Sequence, residues 1–138
     1  MPIPTELVPL RLHPGDDLRA ALLKFVTERE CGAAFVLAGI GSLGDARLRF
    51  AGESAESVVP GPLEIISLSG SVTPSGAHMH MAVSDSCGKV IGGHVCAGNI
   101  VRTTVEAVLA FVPEWDLSRE FDSATGYDEL LVRRKTGS

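Results

Sequence analysis

"GAHMHMAVSDSCGKVIGGHVCAG", residues 76–98, carries three of the four histidines in the chain. His78 and His80 are one residue apart, and His94 follows after "DSCGK", a stretch with the look of a tight turn. If Ser86, Cys87 and Gly88 form a three-residue loop, with Gly88 in the left-handed position, Asp85 faces Lys89 and a hairpin follows. That register pairs Val83 with Ile91, Met81 with Gly93 and Met79 with Val95, an apolar face throughout. The opposite face pairs Ala82 with Gly92, His80 with His94 and His78 with Cys96. A two-residue loop would put His94 on the face opposite His80 and mix polar with apolar residues on both sides. The pattern therefore selects the three-residue loop and gathers all three histidines on one face.

Directly opposed Cβ atoms in a hairpin lie about 4.5–5.5 Å apart, so three imidazoles so placed can converge on one ion with metal–nitrogen bonds of about 2.1 Å. Histidines on a strand face are often merely solvated, but three of four on one face of one hairpin are less easily accidental. Zinc is the first choice of metal, because neutral imidazole suits it and three protein ligands leave a position open; nickel, iron and copper also accept imidazole. Gly92 and Gly93 leave room beside the site for water or for another backbone. Cys96 is a candidate fourth ligand, although a small buried cysteine is the plainer reading. Glu64 and Glu106 sit between apolar residues, where a charge is costly unless paired. Each is a candidate to orient a histidine or to act as a base on metal-bound water, and equally a candidate for an ordinary salt bridge. No Ser-His-Asp order, phosphate-binding loop or GxGxxG motif is present, and no catalytic residue is assigned.

The surrounding elements sort by period. Leu7–Leu12 reads as a first strand that Pro9 confines to an edge or an irregular start. Leu18, Ala21, Leu22, Phe25 and Val26 recur at helical spacing, with Asp16 or Asp17 as cap and Gly32 as stop. Ala33–Ile40 reads as a strand, and Leu43, Ala46, Leu48 and Phe50 suggest another. "AGESAESVVPGP", residues 51–62, reads as a long loop. Leu63–Val72 alternates as a half-buried strand. "RTTVEAVLAFV" is long enough for a helix, but Val105, Ala107, Leu109 and Phe111 alternate and its threonines and valines favour a strand. Tyr127–Val132 makes a last strand. Together these predict a single α+β domain over residues 1–138, a mostly antiparallel β-sheet with one principal helix packed on it.

Composition narrows the class. At 138 residues the chain suits one domain, and 45% hydrophobic residues is slightly apolar for a monomer of this size, which hints at surface buried between subunits. No apolar run approaches the roughly 20 residues of a membrane-spanning helix, and the N-terminus lacks a basic segment followed by an apolar one. Cys31, Cys87 and Cys96 are odd in number and show no CxxC spacing, so a disulfide framework is not expected. A cytosolic protein is the resulting expectation. The net charge of −5, with Arg133-Arg134-Lys135 as the single short basic cluster, disfavours unaided duplex DNA binding, which depends on neutralising phosphates.

"RLHPGDDL", "IGSLGDARLRF", "GPLEIISLSGSV", "GAHMHMAVSDSCGKVIGGHVCAGNIVRTTVEAVL" and "TGYDELLV" together resemble the PPC domain, shared by plants and prokaryotes, from about Leu10 to Val132. The resemblance implies an α+β fold with a large antiparallel sheet and a homotrimer. It also implies a metal site, in stand-alone prokaryotic members, at the GxHxH and GGH histidines, which map onto His78, His80 and His94. It brings DNA binding or a regulatory role as an implied function. In plants the domain follows a basic Arg-Gly-Arg-Pro segment that enters the minor groove; this sequence has no such segment, and the plant domains lack the histidine set. A trimeric, metal-holding interaction module is thus one expectation, and a metal-dependent enzyme acting on a small molecule is the other. A cupin-like enzyme is discounted, because "MAVSD" follows HxH where a cupin carries a glutamate.

Overall fold

The computed structural model describes residues 4–136. Ten strands and one helix follow in the order β1 (Glu6–Leu12), α1 (Leu18–Thr27), β2 (Ala34–Leu43), β3 (Ala46–Arg49), β4 (Ser57–Val59), β5 (Leu63–Thr73), β6 (Gly76–Ser84), β7 (Val90–Val95), β8 (Val101–Phe111), β9 (Trp115–Asp122) and β10 (Tyr127–Arg134). Eight strands form one sheet in the order β1-β8-β2-β5-β6-β7-β3-β4, every pair antiparallel, and β9 and β10 form a separate two-stranded ribbon. The α+β class and the single principal helix expected from the sequence are both present.

The helix forms where its period places it. Leu18, Leu22 and Val26 are fully buried, each contributing about 1.5–3 kcal/mol by leaving water, and they join the sheet's inward residues in one core. Asp17 is the cap: its Oδ1 accepts from the amide of Ala20 at 3.0 Å, while its Oδ2 accepts from the amide of Gly98 at 2.6 Å. One carboxylate thus starts the helix and ties it to the turn that follows β7. The helix ends at Thr27 with Glu28 as its C-cap, so Gly32 does not stop it; with φ +68° Gly32 turns the chain toward β2 instead. "RTTVEAVLAFV" falls in strand β8 up to Phe111, and Val101, Val105, Ala107, Leu109 and Phe111 of that strand are buried along one face.

Three expectations are corrected. "GSLGDARLRF" is not one strand, because Leu43 ends β2 and the chain turns at Gly44-Asp45 before β3. Residues 51–62 are not all loop: Ser57–Val59 pair with Ala46–Leu48 as β4. The simple alternation over Leu63–Val72 breaks at Ile66, an extra residue in the β5–β6 ladder. Leu63 and Ile65 face the core before it, Leu68 and Val72 after it. This bulge sets the register that matters for the histidines, since beyond it Ser69 faces His80 and Ser71 faces His78.

Between those two serines Gly70 adopts φ +153°, and a Cβ there would run into the carbonyl oxygen of His78. Two backbones approach closely here because no side chain stands between them. Gly70→Ala is expected to lower stability by about 2 kcal/mol and to displace His78. Chemical denaturation and the amide resonance of His78 test this; an unchanged midpoint with an unmoved resonance would show that the backbone yields freely at Gly70.

Candidate metal centre

The β6–β7 hairpin has the register read from the sequence. His80 pairs with His94, Met81 with Gly93, Ala82 with Gly92 and Val83 with Ile91; the amide of Asp85 donates to the carbonyl of Lys89 at 3.0 Å, and Gly88 takes φ +80°. Met79, Met81 and Val83 point into the core, so His78 and His80 point out of it. His78, His80 and His94 each present a ring nitrogen within 4.8 Å of the others. Nδ1 of His94 and Nε2 of His80 share a hydrogen bond at 3.0 Å, and the ring centroids of the trio lie 4.4 to 5.4 Å apart.

These distances suit an ion. Nitrogens bound tetrahedrally at about 2.1 Å stand about 3.4 Å from one another, so small ring rotations would bring all three into place. Burial lowers the pKa of His78, with further lowering from Arg119, His80 and His94 against an opposing pull from Glu129. Burial likewise lowers that of His94, followed by His80 and Arg49. Neutral imidazole, the form that binds metal, is thereby favoured at both positions.

Cys96 does not complete the set. After Val95 the chain leaves the hairpin: the Cys96 amide donates to the carbonyl of Arg47 at 3.2 Å, and the buried Asn99 side chain donates to the carbonyls of Cys96 and Arg47 at 2.9 Å each. The paired position opposite His78 is therefore absent from the β6–β7 ladder, and burial raises the Cys96 thiol pKa, which disfavours the thiolate. Glu64 and Glu106 are corrected as well. Both are exposed and share a shallow surface with Ile40, Ile66 and Thr104, away from the three rings. Glu64 pairs with Ser84, five residues along β5 from the partner of His80.

Sequence reasoning missed the other side of the site. A cavity of about 430 Å³ opens beside His78 and His94, lined also by Arg49, Glu53, Arg119, Tyr127, Asp128 and Glu129. Arg49 faces His94 across the β3–β7 pair. Arg119 comes from the ribbon, where its Nη2 donates to Ser71 Oγ at 2.8 Å, and Ser71 in turn faces His78. The available signal was parity: in "WDLSREFD" Arg119 shares a face with the buried Leu117, an unusual place for a charge without a task.

With folded-state pKa values lowered from 6.5, the unfolded chain binds more protons in the window just below 6.5. The metal-free protein therefore keeps the full contribution of these two groups above pH 6.5 and loses it as the pH falls through the folded values. Proton NMR should show His78 and His94 titrating below 6.5, with thermal stability declining over the same range; midpoints at or above 6.5 would contradict the described burial.

With the fold and its histidine face established, its relatives can be identified. The family model of the Plants and Prokaryotes Conserved (PCC) domain matches residues 4–113. Bifunctional protein GlmU from two Synechococcus strains is 42% and 43% identical over 96% of the chain, which spans about a fifth of their length (21% and 22%). Among solved structures, a hypothetical protein from Salmonella enterica is 38% identical, with 96% of each chain covered and a TM-score of 0.92. The metal-containing protein AF0104 from Archaeoglobus fulgidus is 27% identical, with 91% of this chain and 93% of that one covered and a TM-score of 0.78. The extent of these matches establishes that the chain belongs to the Plants and Prokaryotes Conserved domain family.

Proposed function

We propose that this protein is a homotrimer, each protomer a single PCC domain, that holds one divalent ion, zinc in the first instance, on His78, His80 and His94 and offers it to a small molecule. The observation that carries the reading is the convergence of three ring nitrogens within 4.8 Å beside an open cavity. Three protein ligands leave a coordination position free, and the cavity gives a ligand access to it. When bound, such an ion polarises a carbonyl or lowers the pKa of a water. The metal content of the Archaeoglobus neighbour is consistent with this reading. Glu64 and Glu106 have no part in it; the carboxylates near the rings are those of Glu53, Asp128 and Glu129.

Assembly is supported by the outer face of the sheet, where Leu37, Ile40 and Ile66 are 53%, 55% and 54% exposed. Apolar side chains grouped on a strand face favour burial against another protein surface. Among the described residues no helix is long and apolar enough to cross a membrane, and a cytosolic location is part of the same proposal.

The DNA-binding function implied by family resemblance finds less support. The net charge is −5, and the basic cluster near the C-terminus is partly neutralised, with Arg134 facing Glu114 at 3.8 Å and Lys135 facing Asp116 at 3.9 Å. Fluorescence anisotropy of labelled duplex DNA at low salt should stay flat at micromolar protein. A saturable rise that vanishes with added salt would restore DNA as a direct partner.

Metal analysis of the purified protein, run beside His78→Ala, His80→Ala and His94→Ala, tests the centre. Wild type should carry about one ion per chain, and each variant should lose tenfold or more in affinity. Full stoichiometry in all three variants would place the metal elsewhere. Light scattering on the same samples should give the mass of three chains for wild type and of one for Ile40→Glu/Ile66→Glu.

A further inference from the structure

Arg49 and Arg119 are half-buried, line the cavity beside the histidines and, among the described residues, form no ion pair. Arg29, Arg47 and Arg134, by contrast, each face a carboxylate. The hydrogen bonds of Arg49 and Arg119 go to neutral oxygens. Arg119 Nη2 donates to Ser71 Oγ at 2.8 Å, and Arg49 Nη1 donates to the backbone carbonyl of Glu53 at 3.4 Å. Each arginine therefore keeps further donors of its fork available.

Two guanidiniums beside a cation site are electrostatically unfavourable on their own, since like charges repel strongly where water is partly excluded. An anion between them and the ion converts that repulsion into attraction. The walls also bear on how much charge that anion carries. Glu53, Asp128 and Glu129 line the same cavity, so the charged side chains sum to one negative and a divalent ion makes the whole one positive. A monoanion balances the site, whereas a dianionic phosphate would be repelled by three carboxylates. Those carboxylates can instead accept hydrogen bonds from hydroxyl groups.

We propose that the cavity binds a small hydroxy-carboxylate. Its carboxylate lies between Arg49 and Arg119, and a hydroxyl oxygen takes the coordination position that the three histidines leave open. The place of the hydroxyl and the net charge balance rest on the metal reading above, while the place of the carboxylate rests on the two arginines.

Glycerate is a suitable probe, with glycerol as its uncharged counterpart. Each is titrated into zinc-loaded and metal-free protein whose zinc content is measured, following the amide resonances of Gly52, Ala77 and Tyr127. Glycerate should shift them saturably in the zinc-loaded protein, and glycerol should not. Arg49→Gln and Arg119→Gln should each weaken binding by about tenfold or more with zinc content unchanged, and Arg119→Lys should recover part of the loss. Equal affinity in wild type and both Gln variants overturns the proposal, as does an unmoved wild-type spectrum at tens of millimolar glycerate. If wild type holds no zinc, the metal reading fails by itself. The metal-free titration then decides the carboxylate site: arginine-dependent binding supports it, and its absence overturns it. The glycerate–glycerol contrast is read on wild type, so it stands even if a variant fails to fold.

Discussion

Pleat parity in one short hairpin governs the site. Met79, Met81 and Val83 are at most 3% exposed, and their burial leaves the alternate residues no choice but to face outward. A slip of one residue would expose three apolar side chains, at about 1.5–3 kcal/mol each, and drive imidazoles into the core. The core therefore holds the rings in place, with no direct interaction needed among them. The three-residue turn at Ser86-Cys87-Gly88 supplies the matching parity on the return strand, which brings His94 opposite His80.

Around this hairpin the sheet adds the rest of the site by register. The extra residue at Ile66 shifts β5 so that two serines with a glycine between them lie alongside His78 and His80. Small side chains keep that neighbourhood open, and Ser71 gives the ribbon an anchor through Arg119. On the other side β3 presents Arg49 opposite His94, and Asn99 fixes β3 to the end of the hairpin by accepting from the Arg47 amide at 2.8 Å while donating to two carbonyls. Local parity thus aims the imidazoles, and long-range pairing supplies the charged groups around them.

That division explains what could be read from the sequence. The hairpin, the helix and β8 depend on spacing within a few residues, and each was legible as such. The bulge at Ile66 was not, because it arises from pairing with β6 and leaves no local signature. β4 escaped notice because three residues among small and acidic neighbours cannot outweigh a loop-like composition; their strand character comes from Ala46–Leu48. Glu64 and Glu106 were misread for a simpler reason. Each lies between two inward apolar residues, Leu63 and Ile65 or Val105 and Ala107, so it faces solvent by alternation, and its apolar sequence neighbours are on the other side of the sheet. Arg119 reaches the histidines only through tertiary contact.

The two margins of the large sheet differ from its faces in a way that bears on how the protein can aggregate. One margin is β1, whose Pro9 lacks an amide hydrogen to offer an incoming strand, and the other is β4, only three residues long. Lateral templating of one sheet onto the next, the step that nucleates fibrils, thus meets an interrupted backbone on one flank and a stub on the other. Both flanks are protected by covalent structure and chain length, so the protection does not depend on what occupies the faces.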